Sequence, residues 1–342
     1  MRSLRDERIL VTGATGYIGR SLVKELRRGG AEVYALVRRR LPRSKIQALL
    51  PSASGILYGD VSDYYEVASS LKQRGIGVVI HLAATVEGPE TQASRRTYFR
   101  TNVDGTLNVC KASLASGVRR LIHLSTVAVH GPGAAGELID EGCPYAPTTD
   151  YETSKAISDK LVLDFAKKGL CTTVLRPTLV YGYSLSPLFK WLSRYVRSHF
   201  VPVLGDGQTL KHFIHLNDLL ECMLLAIDHG PSGKAYIVAD QKPSTVDDLL
   251  LTIASILNRD ATLVHIPVPR HLLSALSRYT PGRLAYPLSW FLNQRAYRTD
   301  LARRELGFRP KVDLRKGLEE LLKPMPLRHS TLQEQPKTGF AE

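Results

Sequence analysis

Apolar and polar positions alternate along the first half of the chain in two interleaved periods. Short apolar runs beginning at Ile9-Leu10 and spanning 32–37, 55–58, 77–82, 118–124 and 171–175 have the length and β-branched content of strands. Between them run stretches with helical spacing. Ile18, Leu22, Val23 and Leu26 form one stripe that ends at Gly29-Gly30, a second helical stretch runs to Gln73, and a longer one covers about 97 to 116. Strands alternating with helices of this length predict a parallel sheet with right-handed crossovers, whose ligand sits beyond the carboxyl ends of the strands.

After 175 the strict alternation fades. A strand is expected at 235–239, and Ser244-Thr245-Val246-Asp247-Asp248 reads as a helix start, with capping hydroxyls before first-turn acids and a buried face over 249–257. Residues 264–292 are apolar pieces broken by Pro267, Pro269, Pro281 and Pro287. They suit core packing or a lid, with a membrane-surface contact or an apolar substrate pocket as alternatives. The polar stretch 324–342 reads as disordered. The expected class is therefore α/β: a Rossmann-type doubly wound parallel sheet over 1–177 and a smaller mixed α/β substrate lobe over 178–323, some of whose segments could return to the sheet.

The turn between the first strand and the first helix reads Gly13-Ala14-Thr15-Gly16-Tyr17-Ile18-Gly19. Gly13 suits a tight turn, Gly16 a close approach of backbone to a pyrophosphate, and Gly19 close packing of helix on strand; the helix N-terminus attracts the phosphates. Behind the second strand comes Arg38-Arg39-Arg40, where the adenosine ribose of a dinucleotide would lie. An acid there would bond a 2′-hydroxyl and an arginine accommodates a 2′-phosphate, so Arg38 favours NADP over NAD.

Composition narrows the picture. The 342 residues suit one large domain or two closely joined ones. With 46 Lys and Arg against 32 Asp and Glu the net charge is +14, but the basic residues are dispersed and no nucleic-acid module accompanies them. No apolar run is long enough to cross a bilayer and no signal peptide is visible. Cys110, Cys143, Cys171 and Cys222 lack the spacing of a metal site or disulfide framework, so the expectation is a cytoplasmic protein with no metal.

The fifth strand ends in Ser125-Thr126, and Tyr151 and Lys155 lie four apart at the start of a helix, on one face. A phenol has a reference pKa near 10, and bringing it to about 7 needs roughly 4 kcal/mol of differential stabilisation, which a nearby ammonium and a cationic nicotinamide supply. Thr126 would then donate a hydrogen bond to the substrate oxygen.

With these residues the chain resembles the extended short-chain dehydrogenase/reductases, the nucleotide-sugar epimerase/dehydratase branch included, over about residues 7 to 322. Gly13, Gly16 and Gly19 match the family's Thr-Gly-x-x-Gly-x-x-Gly, and Tyr151 with Lys155 its Tyr-x-x-x-Lys. The resemblance puts Thr126 on the catalytic Ser/Thr position, Asp60-Val61 on an adenine-contacting pair and His81-Leu82-Ala83-Ala84 on the segment after the fourth strand. It makes Asn102 the support of the active site, gives Lys155 the nicotinamide ribose, and implies a homodimer through the helices near 97–116 and 151–168. Arg176-Pro177-Thr178 matches the segment that closes over the nicotinamide, with Thr178 where many nucleotide-sugar enzymes carry Asn. Lys211 stands where the family has a phosphate-binding Arg, ahead of Phe213-Ile214-His215, and Arg295 or Arg298 is a further candidate phosphate partner. His212 and His215 lack acidic or cysteine companions, and a packed, hydrogen-bonded His215 is expected.

The leading expectation is an NADP-dependent oxidoreductase of a small-molecule substrate, a nucleotide-sugar 4-keto reductase or 4-epimerase. Val127-Ala128, where the dehydratase pattern has Asp-Glu, speaks against a dehydratase. The alternatives are a reductase of an apolar ketone, steroid-like or a natural product, and a non-catalytic NADP-binding scaffold.

Overall fold

The computed structural model describes residues 4–38, 42–86, 91–133, 137–183, 187–267 and 293–322. The expectations for Arg39-Arg40, for 268–292 and for the tail 324–342 lie outside them.

The chain begins β1 (Arg8–Thr12), α1 (Tyr17–Arg28), β2 (Glu32–Val37), α2 (Arg43–Leu49), β3 (Gly55–Tyr58), α3 (Tyr64–Arg74) and β4 (Val78–His81). It continues with α4 (Gln92–Tyr98), a π-helical segment Phe99–Asp104, α5 (Gly105–Ala115), β5 (Arg120–Leu124), α6 (Asp150–Lys167) and β6 (Thr172–Pro177). These strands pair in parallel and are joined by β11 (Lys234–Val238), giving a seven-stranded sheet in the order β11-β6-β5-β4-β1-β2-β3. The order reverses between β1 and β4, so a crevice opens at their carboxyl ends.

Side chains on the strands alternate between two cores. Ile9 and Val11 of β1, with Val78 and Ile80 of β4, face a layer that holds Leu22, Val23 and Leu26 of α1. Leu10 and Val79 point the other way, onto Val67, Leu71, Val109, Val162 and Phe165 of α3, α5 and α6. Burial on both faces is what the continuous apolar runs require of a parallel sheet. Each fully buried Leu, Ile or Val contributes about 1.5–3 kcal/mol before conformational entropy is set against it.

Beyond β6 lie β7 (Leu179–Tyr181), α7 (Pro187–Tyr195), β8 (Phe200–Leu204), β9 (Leu210–Lys211), β10 (Phe213–His215) and α8 (Leu216–His229). After β11 come β12 (Ser244–Thr245), α9 (Val246–Ile256), β13 (Thr262–Ile266), α10 (Asp300–Glu305) and α11 (Leu314–Leu322). Leu219, Met223 and Ile227 of α8, and Ala302 and Leu306 in and after α10, complete the core that covers α1. Residues well past 177 thus form part of one layer of the nucleotide half. The substrate lobe has its own core, built on Phe189, Leu192, Val201, Val203, Leu249, Ile253 and Leu318. Its strands make only two-stranded pairs: β7 with β10, β9 with β12, and β8 with β13.

Candidate active site

The glycine turn is built from backbone contacts. Gly13 has φ +69°, and a Cβ there would meet the Leu82 carbonyl carbon and the Ala83 nitrogen at 2.7 Å. Thr12 Oγ1 accepts from Ala83 N (3.2 Å), so the ends of β1 and β4 are fastened side by side. A Cβ on Gly19 would lie 2.4 Å from the Gly13 carbonyl oxygen. The close approach that requires this glycine is therefore between helix and turn, where helix against strand was expected. Gly16 is exposed, and a Cβ on it would meet only the Gly13 oxygen, at 3.2 Å. Helix α1 starts there with no side-chain cap and no acid in its first turn. An open glycine before uncapped helical amides is a donor set that fits a pyrophosphate. Around it, Thr15 and Ile18 are partly buried and the Tyr17 hydroxyl donates to Gly182 O (2.6 Å), tying this turn to the segment that follows β7.

At the far side of the crevice Arg38 is exposed directly behind β2. Burial acts to raise the Asp60 carboxyl, but bonds from the Ser62 amide and hydroxyl and the fields of Arg38 and Arg100 hold it below its ordinary value. Val61 is buried beneath Gly105, and its carbonyl accepts from Asn108 Nδ2 (3.2 Å). Leu82 and Ala84 flank Ala83 in the partly buried segment after β4.

Thr126 follows β5 with extended backbone, and its Oγ1 accepts from Ala128 N at 3.2 Å, capping a short 3₁₀ turn. Tyr151 occupies the first turn of α6, its ring edge-on to Tyr98 at 6.0 Å between centroids. The helix starts here because Thr149 Oγ1 accepts from Glu152 N (3.1 Å), while the Glu152 carboxylate accepts from both the amide and the hydroxyl of Thr148 (2.7 Å each). Asn102 is buried in the π segment. It accepts from Thr85 N (2.8 Å), donates to Thr85 O (3.1 Å) and donates to Ser154 Oγ (2.9 Å), whose hydroxyl in turn donates to Tyr151 O (2.7 Å). One side chain thus joins the loop after β4 to the helix that carries Tyr151.

Lys155 is 2% exposed. Its Nζ donates to Leu124 O (2.9 Å) and lies 3.5 Å from His123 Nε2. Burial lowers its pKa to about 8, against the opposing pull of Asp159. Asp159 is held by the buried Arg176, whose Nε donates to it at 2.8 Å and whose remaining nitrogens reach His130 Nε2 (3.0 Å) and the Tyr145 hydroxyl (2.5 Å).

The substrate side is more self-contained. Pro177 ends β6 opposite Val238, and the buried Thr178 turns its amide (3.0 Å) and its hydroxyl (3.5 Å) toward Val238 O. Lys211 is 4% exposed, donates to Asn293 O (2.6 Å), and is pushed down to about 7 by burial and by the Arg295 charge. Arg295 pairs with Glu152 at 3.3 Å, across the two halves of the molecule. Arg298 instead pairs with Asp300 at the surface. His212 bonds Asp240 O (2.9 Å), and His215, buried and edge-on to Tyr181, accepts from Asn217 N (3.3 Å) as the cap of α8.

The NAD dependent epimerase/dehydratase family model matches residues 9–239. The chain belongs to this family. It is 31% identical to a ketoreductase of Stigmatella aurantiaca named for 4-hydroxy-2-methyl-3-oxo-4-farnesyl-3,4-dihydroquinoline-1-oxide, over 93% of this chain and 97% of that one. It is 32% identical to sterol demethylase protein B of Methylococcus capsulatus, over 68% of this chain and 69% of that one. Among solved structures, UDP-glucose 4-epimerase of Thermotoga maritima with UDP-glucose superposes with a TM-score of 0.74 at 23% identity, covering 92% of this chain and 97% of that one.

As a member of this family the protein is an oxidoreductase with a nicotinamide cofactor. Three contacts here were not read from the sequence: His81 against His123, Asp159 with Arg176, and Glu152 with Arg295. The first had a sequence signal, since each histidine lies in the last residues of an apolar strand. The other two join residues whose proximity follows only from the fold.

Proposed function

We propose that this protein is an NADPH-dependent reductase of an apolar ketone. The observation that carries the reading is the state of two candidate phosphate partners: Lys211 is spent on a backbone carbonyl and Arg295 on Glu152. A diphosphate would have to break both bonds and meet a lysine whose charge burial and Arg295 already disfavour. The hydroxyl of Thr178, bonded to Val238 O, gives no amide in place of the Asn of nucleotide-sugar enzymes. The relatives named for farnesylated quinoline and sterol chemistry support the same direction.

The residues act as follows. Gly16 and the α1 amides hold the pyrophosphate in a turn that Gly13 and Gly19 shape, and Arg38 takes the 2′-phosphate. When bound, the reduced nicotinamide supplies a hydride to the carbonyl carbon. Tyr151 donates its phenolic proton to the carbonyl oxygen, which Thr126 holds by a hydrogen bond. The hydride's electron pair becomes the new C–H bond, the C=O π pair takes the Tyr151 proton as the new O–H bond of a secondary alcohol, and the negative charge left on Tyr151 is stabilised by Lys155. Lys155, Asp159 and Arg176 together carry one net positive charge in a buried site, which favours an anion beside them.

A nucleotide-sugar 4-keto reductase or 4-epimerase is the second reading, supported by the position of Lys211 in its motif. A panel of long-chain, steroid and 4-keto nucleotide-sugar substrates, followed by NADPH oxidation and by a product assay for epimerisation, decides between them. Turnover of the nucleotide sugars alone overturns the apolar reading. Equal affinity for NADH and NADPH overturns the role of Arg38.

A further inference from the structure

We propose that His123 is the positioning residue of Lys155: its neutral ring accepts, at Nε2, one of the hydrogen bonds that seat the ammonium beneath the end of β5. The inference rests on the reading of Lys155 as the cation that serves Tyr151.

The site is closed and short of acceptors. Lys155 and His123 are 2% and 1% exposed, so no bulk water replaces a lost bond. An ammonium has three N–H donors, and among the described residues its hydrogen-bond partners are Leu124 O at 2.9 Å and His123 Nε2 at 3.5 Å. For Nε2 to accept, His123 must carry its proton on Nδ1. Nε2 lies 3.9 Å from Asp159 Oδ1, too far to donate to it, so the ring nitrogen is available to Lys155.

The ring cannot turn away easily. His81 and His123 are register partners on β4 and β5, and their rings lie against each other, tilted by 31° with centroids 5.3 Å apart. His81 is itself pinned at both nitrogens, 2.7 Å from Thr12 Oγ1 and 3.1 Å from Thr106 Oγ1. The bracing therefore runs from the strand that enters the glycine turn, through two imidazoles, to the lysine. The charged and titratable groups facing Lys155 are His123 from β5 with His81 behind it, Asp159 and Tyr151 from its own helix, and Arg176 of β6 through Asp159. Burial and the Lys155 charge keep both imidazoles neutral, which leaves the one proton of this group on the lysine.

The test uses full-length protein labelled with ¹⁵N-lysine and free of cofactor and substrate. The Lys155 Nζ signal, assigned by its loss in Lys155→Met, is titrated in the wild type, His123→Phe and His123→Gln. The Gln amide oxygen can stand where Nε2 stands, and Phe keeps the volume without an acceptor. The expected result is a midpoint about one pH unit lower in the Phe variant and restored in the Gln variant. The alkaline limb of kcat should move with it, and kcat near neutrality should fall about tenfold in the Phe variant. Unchanged Lys155 titration in a folded Phe variant overturns the proposal, as does a Gln variant displaced as far as Phe. A shifted titration in a protein that turns over no ketone leaves the His123 contact standing and removes the reductase reading instead.

Discussion

The glycine turn, proposed as the phosphate cradle, and the polar wall of the second lobe are built on opposite terms. The cradle uses backbone: Gly16 is open on one side, α1 is uncapped, and no side chain competes for the amides. The wall uses side chains that already have partners, Lys211 on Asn293 and Arg295 on Glu152. A backbone site keeps its donors whatever else changes nearby, and it suits a cofactor common to a whole family. A wall whose cations already have hydrogen-bond partners sets a cost on any anion that must displace them and leaves room for a neutral ligand. For the proposed reductase, this difference assigns specificity to the second region and chemistry to the space between the two.

Breaking the chemistry should have the largest effect. Tyr151→Phe is expected to lower turnover by about 10²–10⁴-fold while NADPH binding, read by fluorescence, is retained; an active variant removes Tyr151 from the mechanism. Next comes the cradle. Gly13→Ala places a Cβ on a residue at φ +69° and within 2.7 Å of two backbone atoms. A loss of about 1–3 kcal/mol in denaturant unfolding and a parallel loss of NADPH affinity follow, and a stable, binding variant would break the backbone half of the comparison. Arg38→Asp should lower the NADPH-to-NADH affinity ratio by about tenfold, the worth of one charge-assisted hydrogen bond. An unchanged ratio in a binding titration moves the 2′-phosphate site elsewhere.

The smallest effect is expected on the wall. The folded-state pKa of Lys211 is lowered from 10.5 to about 7. Below pH 7 both folded and unfolded chains hold the proton, and the native state bears the whole cost of the buried ammonium. As pH rises from 7 toward 10.5 the native chain releases the proton first, so this cost fades. Lys211→Met should therefore raise the melting temperature at pH 6 and lose that advantage by pH 9 to 10, with ketone KM within about twofold of wild type. A large rise in KM for a nucleotide sugar in the same variant would restore the diphosphate reading.

Much of the nucleotide half was legible because its signals are local. The run 55–58 is β3 itself; the expected fifth strand starts two residues before Arg120–Leu124 and ends with it, and the expected sixth differs from Thr172–Pro177 by one residue at its start and two at its end. Thr245 caps α9 through Asp248 N at 3.0 Å, as the hydroxyl-then-acid pattern anticipates. The rest depends on contacts distant in sequence. That His81 and His123 touch follows from sheet register, and that Glu152 meets Arg295 follows from how the last described segment crosses the lobe at its bridge to Lys211. The stretch 97–116 reads as one helix because a π turn changes hydrogen-bond partners without changing composition.

That π segment has a consequence for length variation in this chain. A π turn holds an extra residue that an α-helix would exclude, so removing one residue between Phe99 and Asp104 would let the backbone settle into an unbroken helix. The same removal would swing the side chain of Asn102 by about 100° relative to one of its flanking helices, away from either Thr85 or Ser154. The shortened protein should keep its far-ultraviolet circular dichroism and lose its turnover. Local regularity and activity are opposed in this helix.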